Sequence, residues 1–192
     1  MSIRILDAEY DINIKTLDLI SLRLKSLPTE FGKLWNLQIL YLSYNKLTRL
    51  PESIGNLSKL QKLDLGYNKL TSLPKSIGNL SNLKYLNLSE NKLTNLPESI
   101  GSLSNLQELY LHDNNLTSIS ESIATFTKIR YFALDESSYD INNLSMDCHT
   151  LILTSIENNI TNLPPILRTL YLKSDINVDM IKIPYGCDII RF

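Results

Sequence analysis

Ser89, His112 and Asp135 follow one another at intervals of 23 residues, in the order nucleophile, base, orienter that a serine hydrolase would use. If each held the same place in a repeated structure, parallel strands about 4.8 Å apart would set them side by side. The constellation is nevertheless incomplete. Nothing nearby supplies an oxyanion hole or a pocket that excludes water, and an open sheet leaves the serine solvated, so hydrolysis is the remote reading. His112 with Asp113 and Glu90 is a weaker metal candidate still, since one imidazole and two carboxylates commonly make a solvated surface. Glycines fall at regular intervals rather than in a phosphate-cradling loop. The chain is therefore expected to be no enzyme, and no metal or cofactor is expected.

Charge narrows the partners. Nineteen basic residues against twenty acidic ones leave a formal charge of −1, so no global field draws the chain to nucleic acid or anionic lipid. Arg23, Lys46, Lys69 and Lys92 recur as a basic stripe, but no arginine cluster with interleaved aromatics accompanies them, and a solvated face is the better reading. The residues after Met1 lack the apolar core of a signal peptide, and no apolar run is long enough to span a bilayer. These features predict a monomer without nucleic-acid or membrane partners, cytoplasmic or otherwise intracellular, or in the host cytoplasm if viral, an origin that the abundance of Asn, Ile and Lys leaves open. The Asn-Leu-Ser and Asn-Leu-Thr triplets at Asn56, Asn79, Asn87 and Asn115 recur with the period and are read as structural rather than as glycosylation acceptors.

That period organises the molecule. From Leu37 the series Leu37, Leu40, Leu42, Asn45, Leu47, Leu50, Pro51, Ile54, Gly55, Leu57 returns 23 residues later as Leu60, Leu63, Leu65, Asn68, Leu70, Leu73, Pro74, Ile77, Gly78, Leu80. It returns again from Leu83 and, more loosely, from Leu106, with imperfect copies from Ile14, where Leu22 stands in the place of Asn, and from Ile129. Alternation such as Leu40, Tyr41, Leu42, Ser43 specifies a short strand with one buried face. One copy cannot bury its own leucines, so copies must stack and align their strands in parallel. Asn45, Asn68, Asn91 and Asn114 fall where the chain leaves each strand, and an amide there offers donors and an acceptor to backbone that water cannot reach. Leu50-Pro51 and its equivalents end the ascent, because proline lacks an N–H and biases the preceding residue to extended geometry. Ser53-Ile54-Gly55 then crosses the back as a single helical or 3₁₀ turn.

These motifs resemble the leucine-rich-repeat family, in particular its intracellular Leu-Pro-x-x-Ile-Gly-x-Leu subclass found in Ras-pathway scaffolds, over residues 14 to 135. The resemblance implies an α/β right-handed solenoid whose concave face is a parallel β-sheet and whose convex segments are short helical, 3₁₀ or extended. After residue 136 the period shortens: Cys148, Leu151 and Leu153 answer to Leu167, Leu170 and Leu172, then to Cys187, Ile190 and Phe192, at steps of 19 and 20. This resembles the shorter repeats of some bacterial effectors and protist proteins. Residues 1–192 thus read as one domain, with a cap over 1–13, long repeats over 14–135, and short repeats with the C-terminal end over 136–192. Residues 136–143 are expected to be a loop. Cys148 and Cys187 sit at leucine positions two repeats apart, on the order of 10 Å from each other, and are expected to be free and buried.

Outward positions on the strands form three rows: Thr16, Ile39, Lys62, Tyr85, Glu108, Tyr131; Asp18, Tyr41, Asp64, Asn87, Tyr110, Ala133; and Ile20, Ser43, Gly66, Ser89, His112, Asp135. Tyrosines beside hydrogen-bonding groups are what protein interfaces concentrate at hot spots. The expected binding set is Tyr41, Asp64, Tyr85, Asn87, Glu108, Tyr110, His112, Tyr131 and Asp135, against a protein partner with a basic surface. A scaffold that bridges two proteins is the alternative that the family resemblance allows.

Overall fold

The structure is a computed structural model, and it describes residues 2–5, 8–117, 123, 126–134, 148–156 and 159–192. A hairpin opens the chain, β1 (Ser2–Ile5) pairing antiparallel with β2 (Ala8–Asp11). Then come β3 (Thr16–Asp18), β4 (Ile39–Tyr41), β5 (Lys62–Asp64), β6 (Tyr85–Asn87), β7 (Glu108–Tyr110), β8 (Tyr131–Leu134), β9 (Thr150–Leu153), β10 (Thr169–Leu172) and β11 (Asp188–Arg191). They form one nine-stranded sheet in sequence order, with every pair parallel.

The repeat explains the register. Leu17, Leu40, Leu63, Leu86, Leu109, Phe132, Leu151 and Leu170 pair in line across the sheet, and all are buried. Slipping any strand by one residue would turn this row to solvent, at about 2 kcal/mol for each leucine exposed. Behind the sheet, 3₁₀ turns span Thr29–Lys33, Glu52–Asn56, Lys75–Asn79 and Glu98–Ser102. Each starts after an extended proline and closes where a buried leucine donates its N–H to the turn, as Leu57 does to the Ile54 carbonyl. The turns stack tightly. A Cβ on Gly55 would lie 2.5 Å from the Ser76 carbonyl oxygen and 2.6 Å from the Ser76 Cβ, so the glycine is required by the approach of the next repeat.

The asparagine row is internal, as its spacing predicts. Asn68 Nδ2 donates to the carbonyls of Leu42 (2.9 Å) and Leu65 (3.0 Å), while its Oδ1 accepts from the Leu47 N–H (3.0 Å). Asn45, Asn91 and Asn114 repeat that pattern. Each amide thereby ties one turn to its own strand and to the repeat before it.

The short repeats keep the expected match of Leu151 with Leu170 and Leu153 with Leu172. In the last strand the expectation fails. Leu170 pairs with Ile189 and Leu172 with Arg191, not with Ile190 and Phe192, so the strand step remains 19. Arg191 takes the leucine place and its Nη1 donates to the carbonyls of Lys173, Ser174 and Ile176, the nearest at 2.8 Å. On the back of these repeats, Ile160 and Ile181 form a parallel bridge, so an extended segment stands there, with a 3₁₀ turn at Val178–Met180. Both cysteines are free; Cys148 is buried, but Cys187 is only partly so, because β11 ends the stack and nothing described packs over it. The expected loop at 136–143 lies outside the described residues.

Candidate protein-binding face

Parallel pairing carries the first two outward rows across the sheet in the predicted alignment. Thr16, Ile39, Lys62, Tyr85, Glu108 and Tyr131 pair in sequence, as do Asp18, Tyr41, Asp64, Asn87, Tyr110 and Ala133. Side chains from the two rows knit into a half-buried band. Lys62 Nζ lies 4.2 Å from the Tyr85 ring centroid and 5.4 Å from that of Tyr41, a cation held between two aromatic faces. Tyr85 and Tyr110 meet at 5.5 Å with rings tilted by 43°, and Tyr110 meets the His112 ring edge-on at 6.5 Å. The Tyr110 hydroxyl donates to Glu108 Oε2 at 3.1 Å. Tyr131 closes the described band and is exposed.

Burial, with Asp64 and Glu108 nearby, pushes the Tyr85 phenol up to about 12. Tyr110 is raised for the same first reason and by Glu108. Both therefore keep their hydroxyl protons and remain donors at any physiological pH.

Several predicted site residues also hold the fold together. Asp64 Oδ1 accepts from the Gly66 N–H (3.1 Å) and from Asn87 Nδ2 (3.0 Å), and Asn87 Oδ1 accepts from the Ser89 N–H (3.0 Å) and hydroxyl (2.7 Å). A short acceptor side chain at the strand end thus turns the backbone out of the sheet.

The third row departs from expectation. Ser43 and Ser89 are buried, not open to solvent, because the neighbouring repeats close over these small side chains. Ser89 directs its hydroxyl to Asn87 rather than to a base, Asp135 lies outside the described residues, and His112 Nδ1 is buried without a hydrogen-bond partner. Nothing described assembles the serine, histidine and aspartate into a relay. Among the described residues no group of three or more His, Cys, Asp or Glu could hold a metal, and no described helix is long and apolar enough to cross a membrane.

Two features were missed by inspection of the sequence. Lys62 stands in the outward rows without a role in the sequence reading, whereas its flanking tyrosines Tyr41 and Tyr85, from the repeats on either side, signal the sandwich. Tyr44 and Tyr67, identical residues 23 positions apart, stack face to face with centroids 4.3 Å apart and planes 8° from parallel.

Two family models match the chain, one described as a leucine-rich repeat over residues 58–116 and one as a leucine-rich repeat region over residues 11–83. The chain is a leucine-rich-repeat protein. No curated protein sequence matches it. Among solved structures, the leucine-rich repeat domain of the type III effector XopL shares 25% identity at a TM-score of 0.77, over 94% of this chain and 69% of that one. A leucine-rich-repeat protein of Leptospira interrogans shares 28% identity at a TM-score of 0.61, over 88% of this chain and 53% of that one. The ectodomain of the plant membrane receptor kinase GASSHO1/SCHENGEN3 from Arabidopsis thaliana, solved in complex with Casparian strip integrity factor 2, shares 29% identity at a TM-score of 0.65, over 94% of this chain and 22% of that one. This leucine-rich-repeat chain therefore spans about half of the Leptospira protein and under a quarter of the receptor chain. The leucine-rich-repeat fold is generally a protein-interaction module and typically non-catalytic.

Proposed function

We infer that this chain is a non-enzymatic module of one continuous domain that binds a protein partner on the concave strand face, through Tyr41, Asp64, Tyr85, Asn87, Glu108, Tyr110, His112, Tyr131 and Asp135. The observation that carries the reading is the contiguous band Tyr41, Lys62, Tyr85, Tyr110, whose rings lie on an open sheet and bury no core of their own. Partly desolvated rings with fixed hydroxyls give contact area at little conformational cost. Asp18, Asp64 and Glu108 on these rows face Lys62 alone among basic side chains through residue 131, which favours a partner with basic groups. Since Lys62 sits between tyrosines, those groups approach beside it, towards Glu108 and Tyr131.

The family likeness fits an intracellular monomer of the subclass seen in Ras-pathway scaffolds, acting in the cytoplasm or, for a viral chain, in that of the host. The test is affinity capture from the host cell with the wild type and with a Tyr85→Ala, Glu108→Ala, Tyr110→Ala triple variant. One protein retained by the wild type and lost by the variant, at equal melting temperature, is the expected result. Equal retention of the same protein by both overturns the concave assignment.

A further inference from the structure

One row beside the strand face is built against a steric penalty. Tyr44, Tyr67, Glu90 and Asp113 each immediately precede a ladder asparagine, and all four have φ between 54° and 58°. That left-handed conformation presses Cβ towards the following carbonyl oxygen, and glycine or asparagine adopts it with least strain. Tyrosine is a poor choice on local grounds, yet it occurs at two consecutive rungs. The rings bury no core: Tyr44 is 56% exposed and Tyr67 45%. They stack on each other in parallel. Residues in a disfavoured backbone region whose side chains the fold does not use point to a role outside the fold.

The arrangement also says what would bind. Tyr44 covers one face of Tyr67, so the other face looks along the solenoid towards the next repeat. There Glu90 holds the same position, one rung away, its carbonyl accepting from the Asn68 N–H at 3.1 Å. Asp113 follows on the rung after. The nearby negative charge of Glu90 is the first cause of a raised Tyr67 phenol, and Asp113 adds to it. An open aromatic face that leads onto a carboxylate suits a flat cation and repels phosphate or acidic groups.

We propose that Tyr67 and Glu90 form a receptor site for an arginine side chain of a protein partner, the guanidinium lying on the free face of Tyr67 and its N–H fork reaching the Glu90 carboxylate. Tyr44 is the positioning residue that holds the Tyr67 ring upright. Arginine suits the site better than lysine because a planar guanidinium both stacks and donates two parallel hydrogen bonds, whereas an ammonium does neither. Lys69 and Lys92 follow the ladder asparagines of the same rungs, so cations are already close in the chain and a guest must offer more than charge. The site goes beyond the concave-face reading and stands or falls independently of it.

The experiment is an NMR titration of the full chain with N-acetyl-arginine amide, with the lysine and citrulline amides as controls. The arginine probe is expected to shift the Tyr67 and Glu90 signals saturably with a millimolar midpoint. The lysine amide should bind about threefold more weakly. The uncharged citrulline amide should give no saturable shift. Tyr67→Asn, which suits the left-handed backbone and so keeps the fold, should abolish the response, and Glu90→Gln should weaken it about fivefold. A Tyr85→Ala variant should retain it, which separates this site from the concave band. Equal responses to arginine and citrulline, an unchanged response in Tyr67→Asn, or shifts confined to Tyr85 and Tyr110 would each overturn the proposal.

Discussion

Asn68 reaches backbone of its own repeat and of the one before it, at sites that water does not enter, and this explains why an amide stands among leucines. Truncating Asn68→Ala leaves the Leu47 N–H buried without a partner and takes one of two amide donors from each of the Leu42 and Leu65 carbonyls, which Asn45 and Asn91 still reach, so urea denaturation should show a loss of about 2 kcal/mol. A loss below about 1 kcal/mol would mean that the ladder is dispensable. Two glycines make a sharper contrast. Gly55→Ala drives a methyl into the Ser76 backbone and should cost more than Gly186→Ala, where φ is +77° but nothing lies within 4 Å of the new Cβ. The asparagine row was legible in the sequence because a polar residue recurring among apolar ones needs a backbone reason. The Tyr44–Tyr67 stack was not, since spacing alone does not reveal which way a side chain leaves a left-handed residue.

The cysteines supply a residue-level test in pH. Burial pushes the Cys148 thiol up to about 12 from an ordinary 9.0. Between those values the unfolded chain releases a proton that the folded chain keeps, so this contribution is intact below about pH 9 and is lost as pH rises towards 12. The raised Tyr85 phenol acts in the same direction. Cys148→Val should therefore flatten the fall in urea midpoint between pH 8 and pH 10.5 relative to wild type; identical slopes would contradict the account. At neutral pH a thiol reagent should label the partly exposed Cys187 well before Cys148.

At the scale of elements, the repeats from Leu37, Leu60 and Leu83 are readable because their turn, strand and ladder signals agree, and the looser copies follow from their period. Leu-Pro, Ile-Gly and Asn at fixed offsets leave one register, and the described strands β3 to β8 adopt it. The last strand was misread by one residue for a physical reason. Ile189, Ile190 and Phe192 permit two apolar alternations, and the choice falls to Arg191, whose guanidinium donates to the carbonyls of Lys173, Ser174 and Ile176. All four residues of β11 are exposed, so it shields the edge of β10 more than it buries itself. Deleting residues 184–192 should bare that edge, with Leu170 and Leu172 beside it, and cause self-association in sedimentation velocity. A truncated chain that stays monomeric with unchanged melting would show that β11 is not a cap.

Over the whole molecule, near-zero net charge conceals an uneven field. The outward rows present Asp18, Asp64 and Glu108, while Lys62 is held between rings; on the edge beside them Glu90 and Asp113 stand among Lys46, Lys69 and Lys92. Association with a basic partner should slow as salt rises from 50 to 500 mM, on the order of tenfold, with the off-rate changing less. Stopped-flow mixing with the captured partner measures both rates, and a salt-independent on-rate would remove the electrostatic part of the account. The rows themselves could be read from the sequence, since a fixed period and a parallel sheet leave no freedom in which residues align. Their chemistry could not: Asp64 and Asn87 were read as free to bind, yet each also accepts hydrogen bonds that turn the chain out of its strand.

The most direct test of concave recognition is the affinity of the captured partner for matched single variants on opposite faces, each checked for unchanged melting. Tyr85→Ala and Tyr110→Ala should each weaken binding about 30-fold, or about 2 kcal/mol, while Glu52→Ala, Lys75→Ala and Glu98→Ala on the 3₁₀ turns should bind as wild type does. Normal affinity in both tyrosine variants, with binding lost on the convex side, would contradict the account.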